Sequence, residues 1–267
     1  MNNSVFVILL AVGCAGILLS FARARSRAIF VQDGFSDPGR RIAAVTLLVA
    51  VLLLTVAIPF AGGLAGGARD TKDLTLVSLF AVHAMLVLFL GLYWALSRRE
   101  PLMDFLKLRS ARPAADLSAG LFIGLAGWMI TIVALAGFLL VWFLLRRQGY
   151  APAPPKQINP TVLWLVSQPL AVRIGIVLSA MVVEELFFRA FLQTRVGPLA
   201  ATLMFTAAHG VYGQPMILIG IFAIAAVLSA TYALYRNVLP CIVAHGVFDG
   251  IQMFVLIPLA LKQMGAG

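Results

Sequence analysis

The sequence predicts an all-α polytopic membrane protein, a bundle of about eight transmembrane helices. Three observations predict it. Apolar types make up 62% of the 267 residues and DEKR only 11%, whereas ordinary soluble domains carry about 45–50% and about 25%. Mean hydropathy is +1.01. Apolar runs of roughly the ~20 residues that a helical crossing needs recur along the whole chain. So few charges could not cover a water-soluble globule, which excludes a soluble enzyme, a disordered chain and a disulfide scaffold. Within hydrocarbon every backbone amide must find its partner inside the segment, so the runs become helices.

Eight runs qualify, over about residues 4–21, 42–64, 74–96, 118–145, 170–193, 198–212, 215–235 and 239–261, the sixth being short. The first contains Leu10-Ala11-Val12-Gly13-Cys14, faintly like a lipoprotein processing site. No basic segment precedes it, so it reads as a span and not a removable signal. Gly62, Gly63, Gly66 and Gly67 at the end of the second permit close helix contact or a flexible exit. His83 in the third matches no motif and reads as a satisfied structural histidine. Gly120, Gly124 and Gly127 in the fourth are small residues that let helices approach. Residues 151–155, Ala-Pro-Ala-Pro-Pro, make a stiff extended connector. After Asn159-Pro160, an apolar piece ending at Gln168-Pro169 reads as a helix lying on the interface. Arg173, near the outer end of the fifth run, snorkels towards the interface. Cys14 and Cys241 form no CxxC spacing and read as small apolar residues.

Loop charges predict the orientation. The loops after spans one, three, five and seven hold twelve Lys and Arg, against six on the opposite side. Positive charge favours the cytoplasm, which places both termini outside, with Arg146 and Arg147 running against the trend. The net charge of +10 and the pI near 10.4 belong to these loops. No Lys/Arg run carries interleaved aromatics, so the partners expected are the bilayer and membrane-held molecules, not nucleic acid.

Of the ten acids, only Glu184, Glu185 and Asp249 fall inside apolar runs. A charge at the bilayer centre costs on the order of 2.5–3.5 kcal/mol even on the lenient insertion scale, so such residues are functional by default. Glu185 and Arg189 stand at i and i+4 on one helix face, where they can pair. Glu184, ~100° further round the helix, is left for chemistry. His209 lies in the sixth run, and His245 with Asp249 at i+4 lies in the eighth. At ~1.5 Å per residue, Glu184, His209 and Asp249 come ~16–18 Å from the cytoplasmic end and His245 ~12 Å. Groups from three helices reach a similar depth, as one site requires.

These residues resemble the CAAX-protease and bacteriocin-processing family of intramembrane endopeptidases, whose motifs are EExxxR, FxxxH and HxxxN/D. All three stand here in order, as Glu184-Glu185-xxx-Arg189, Phe205-xxx-His209 and His245-xxx-Asp249. The resemblance covers about residues 170–250. It implies a chain divided into four N-terminal spans of unassigned function (1–160) and a catalytic core of spans five to eight (161–267). Glu184 would be the general base that activates water, helped by His209. Glu185 and Arg189 would support it, Phe205 would pack, and His245 and Asp249 would stabilise the oxyanion or complete the water site. The family has been described both as zinc-dependent and as using a glutamate-activated water alone. Glu184, His209 and His245 could form a zinc shell with an open position, while an apolar pocket suits a glutamate base.

Many members carry Asn at the last position. An ionised Asp249 cannot donate to an oxyanion, so it would be protonated, orient His245 or ligate a metal. The implied substrates are membrane-embedded or lipid-anchored: CAAX-type C-terminal segments, peptide precursors or bacteriocin-related peptides. Ala- and Arg-rich usage points to a prokaryotic cytoplasmic membrane, with the site opening to the cytoplasm. Absence of HExxH removes the commonest zinc-protease helix, and a single membrane aspartate does not make an aspartyl protease. The main rival is a proton- or ion-coupled transporter, because intramembrane acids and histidines also form relays. A silent scaffold that binds another membrane protein is the second.

Overall fold

The computed structural model describes residues 35, 37–64, 75–97, 100–150 and 159–263. The predicted first span, Cys14, Gly66, Gly67 and the 151–155 connector lie outside the described residues. Among those described, all regular structure is helical. We label α1 (Pro38–Leu64), α2 (Leu76–Ser97), α3 (Pro113–Arg147), α4 (Pro160–Ser167), α6 (Pro198–Ala208), α7 (Pro215–Tyr235) and α8 (Leu239–Gln263). Helix α5 starts as an α-helix at Leu170–Glu185, continues as a π-helix over Leu186–Gln193 and ends with Thr194–Val196.

Among the described residues, α1, α2, α3, α7 and α8 are long and apolar enough to cross a membrane. This is an integral, multi-pass, all-α protein. The other two predicted spans differ in kind. Helix α5 carries Arg173, Glu184, Glu185, Arg189 and Arg195, yet Glu185 and every residue of Leu186–Gln193 are buried, so the Glu185–Arg189 pair is enclosed by other helices. Helix α6 has only 11 residues, which at 1.5 Å each is ~16 Å, about half the ~30 Å hydrocarbon core. It ends at His209, where the chain turns through a 3₁₀ segment, Gly210–Tyr212.

Small residues set the closest packing. The predicted glycine stripe of α3 lies against α7 and α8. A Cβ on Gly124 would come within 2.8 Å of the Ala244 carbonyl oxygen, and one on Gly120 within 2.7 Å of the Pro240 oxygen. Trp128, next on that face, donates from Nε1 to the Phe248 carbonyl at 3.0 Å and stacks on the Phe248 ring. On the other side, Gly246 of α8 faces the Met181 side chain of α5. Helix α8 is thus wedged between α3 and α5.

An aromatic zipper joins α2 to α5. Phe89 contacts Phe187 and Phe191, and Tyr93 contacts Phe191 at 4.7 Å between ring centroids. Residue numbers rise together along the two helices, so α2 and α5 run parallel. His83, Leu86, Phe89, Leu90 and Tyr93 form the buried stripe of α2. One apolar core extends from Ala44 to Phe248 through both halves of the chain.

The helix predicted before Gln168-Pro169 is α4. Asn159 caps it, accepting from the Thr161 amide at 3.0 Å and donating from Nδ2 to the Tyr212 carbonyl at 2.7 Å. That bond ties α4 to the turn after His209. Cys241 is a buried free thiol and packs as a small apolar residue.

Candidate active site

Glu184 and Glu185 are the last residues of the α-helical part of α5, and the π-helix begins immediately after them. Such widened turns are found preferentially at functional sites. Glu185 and Arg189 are both fully buried and pair as expected, Nε to Oε2 at 3.2 Å. The Arg189 guanidinium also lies over the Phe205 ring, 4.7 Å from its centroid, a cation–π contact that compensates part of its desolvation.

Glu185 does more than pair with Arg189. Its Oε1 is 2.9 Å from His245 Nδ1, while His245 Nε2 is 3.3 Å from Asp249 Oδ2. The imidazole therefore lies between two carboxylates and satisfies both when each nitrogen carries a proton. Of the roles open to Asp249, orientation of His245 is the one with a contact behind it.

Glu184 faces the other way. Its Oε1 contacts His83 Nε2 at 3.3 Å, and the His83 Nδ1 contacts Ser179 Oγ at 3.0 Å. Its Oε2 is 3.9 Å from His209 Nε2 and has no hydrogen-bond partner among the described residues. The His209 ring is fixed from behind: Nδ1–H donates to the Phe205 carbonyl at 2.8 Å, so that in the neutral ring Nε2 is an acceptor directed at Glu184. Phe205 sits 4.6 Å from the His209 ring and 5.0 Å from Phe188, packing as expected. His209 and Asp249 are 23% and 29% exposed, against 15% for Glu184, so the cluster opens beside His209 and Asp249.

All the predicted site residues therefore gather around the α5, α6 and α8 helices, in two adjoining sets: Glu184 with His209, and Glu185 with Arg189, His245 and Asp249. His83 is the residue that sequence reasoning missed. Its lone place in the third span reads as that of a structural histidine, yet it touches the glutamate predicted to be the base. The depth count could have found it. His83 lies 14 residues before Ser97, ~21 Å from the C-terminal end of α2, within about a turn of the depths counted for Glu184, His209 and Asp249.

The turn behind His209 rests on α1. A Cβ on Gly63 would stand 1.9 Å from the Gly210 carbonyl oxygen, whereas one on Gly62 would meet nothing within 4 Å. Gly63→Ala is accordingly expected to destabilise the protein by about 1–3 kcal/mol through overpacking. Gly62→Ala, with the same gain in helix propensity and no clash, should leave the unfolding midpoint in detergent unchanged or slightly raised. Equal midpoints for the two variants would contradict the packing.

Residues 166–251 match the family model described as type II CAAX prenyl endopeptidase Rce1-like. This stretch is Rce1-like. It contains every residue of the two sets above, and the match supports a peptide hydrolase of the CAAX-protease kind. No curated protein and no solved structure matches the chain. The Rce1-like segment leaves out α1, α2 and all of α3, so His83 reaches the site from outside it.

The zinc alternative needs three donors around one point. Among the described residues, no group of three or more His, Cys, Asp or Glu side chains is arranged to hold a metal ion. Both nitrogens of His245 are directed at carboxylates, which removes it from a shell with Glu184 and His209. The donor set does not fit zinc.

Proposed function

We propose that this protein is an intramembrane endopeptidase in which Glu184 activates water to cleave a peptide bond of a membrane-held substrate. The observation that carries the reading is Glu184 Oε2, which has no hydrogen-bond partner among the described residues and lies 3.9 Å from His209 Nε2. Both are acceptors, and one water can donate a hydrogen to each. As Glu184 Oε2 takes one proton, the water oxygen forms a bond to the substrate carbonyl carbon. Collapse of the tetrahedral intermediate breaks the C–N bond, and the proton held by Glu184 passes to the departing nitrogen. One water is consumed and one carboxylate and one amine are formed.

His209 orients the water. His245, protonated on both nitrogens between Glu185 and Asp249, supplies positive charge towards the developing oxyanion. The low-dielectric surroundings of the π-helical segment strengthen that interaction. The substrate class we propose, in keeping with the Rce1-like match, is a chain ending in a prenylated CAAX-type segment, approached from the side that the loop charges mark as cytoplasmic.

The test is direct. The purified chain in lipid vesicles is offered a peptide whose prenylated cysteine is followed by three residues. The expected products are the free tripeptide and a peptide ending in the prenylated cysteine, both identified by mass spectrometry. Intact peptide after prolonged incubation, or solute movement with no new termini, would overturn the reading.

A further inference from the structure

We propose that His83, supplied by α2, is a positioning residue of the site: its Nε2–H holds Glu184 Oε1 so that Oε2 alone is presented to His209. The inference deepens the hydrolase reading and rests on it. A carboxylate has two equivalent oxygens, and a general base that rotates freely would spend much of its time misdirected. Here one oxygen is engaged by His83 at 3.3 Å and the other has no hydrogen-bond partner among the described residues. The clamp fixes which oxygen does the chemistry.

His83 is itself held. Its Nδ1 meets Ser179 Oγ at 3.0 Å, and that hydroxyl also lies 3.0 Å from the Ile176 carbonyl. When the ring carries one proton, the hydroxyl donates to Nδ1. When it carries two, the hydroxyl accepts from Nδ1–H and turns its own hydrogen to Ile176. In both states Nε2–H remains on Glu184. Ser179 lies on α5 five residues before Glu184, so the helix that bears the base also anchors the group that aims it. The remaining constraint is the α2–α5 zipper of Phe89, Tyr93, Phe187 and Phe191, which continues the same buried stripe on which His83 stands. The N-terminal helices thereby acquire a role: they complete a site whose other members all lie in residues 166–251.

His83→Ala, His83→Gln and Ser179→Ala are compared with the parent on the prenylated peptide in vesicles, with Glu184→Gln as control. His83→Ala is expected to lose about 10²-fold in kcat, the scale of a misplaced reacting group, with KM within about twofold. Gln offers an N–H to Oε1 and should restore kcat to within about tenfold of the parent; Ser179→Ala should fall in between. Parental kcat in His83→Ala, or no rescue by Gln in a protein that melts like the parent, overturns the clamp.

A second readout does not depend on turnover. The chain has three histidines, so ¹⁵N-histidine labelling yields six imidazole nitrogens, and the His83 Nε2 resonance should move in Glu184→Gln. An unmoved resonance overturns the clamp even where the Ala variant does not fold. If the parent releases nothing from the peptide while the resonance moves, the hydrolase reading fails and the His83–Glu184 bond stands as geometry alone.

Discussion

Glu184→Gln is expected to lower kcat by about 10²–10⁴-fold, the usual contribution of a positioned general base. It should do so without altering the fold. Glutamine has the shape of glutamate and keeps an oxygen for His83, so the one fixed contact of the side chain survives. What it loses is the ability to take a proton at the position now occupied by Oε2. The loss should appear in kcat and kcat/KM together, because the missing interaction is made in the transition state. Glu184→Asp separates proton chemistry from geometry. It keeps the acid but draws it back by one methylene, out of register with His209 and His83, and should give an intermediate rate. Parental turnover in the Gln variant would show that another group is the base.

The membrane class was legible because composition alone decides it, and the candidate site because three acids within apolar runs of a chain with so few charges demand a reason. The pairing of Glu185 with Arg189 was equally accessible: both helix types keep residues four apart on one side. Three features were not. The π-helix from Leu186 to Gln193 has no sequence period of its own and is stabilised by the packing of all eight of its residues. That His245 meets Glu185 and not Glu184 depends on how far α8 is rotated against α5, across an interface where Gly246 faces Met181. His83 was hidden for a third reason. A single imidazole on an apolar helix looks alike whether it satisfies itself locally or reaches another helix, and only the tertiary pairing of α2 with α5 separates the two.

Glu185→Ala should be the most destabilising single substitution in the site. Arg189 is fully buried, and Glu185 is its ionic partner among the described residues; the guanidinium nitrogens make no hydrogen bond there. Removing the carboxylate leaves an uncompensated charge in a low-dielectric core, which typically costs about 3–5 kcal/mol. The cation–π contact with Phe205 offsets only about 2 kcal/mol when desolvated. The expected result is a large fall in the detergent unfolding midpoint, or failure to accumulate in the membrane. The converse is more discriminating. Replacing both partners, Glu185→Leu with Arg189→Met, removes the charge and its need together, and such replacements are commonly neutral or stabilising. Stability should therefore return in the double variant. Activity should not, because His245 Nδ1 has lost the carboxylate 2.9 Å away that orients its ring. A double variant that regained stability and full turnover would reduce Glu185 to a counter-ion for Arg189 and leave His245 to be held by Asp249 alone.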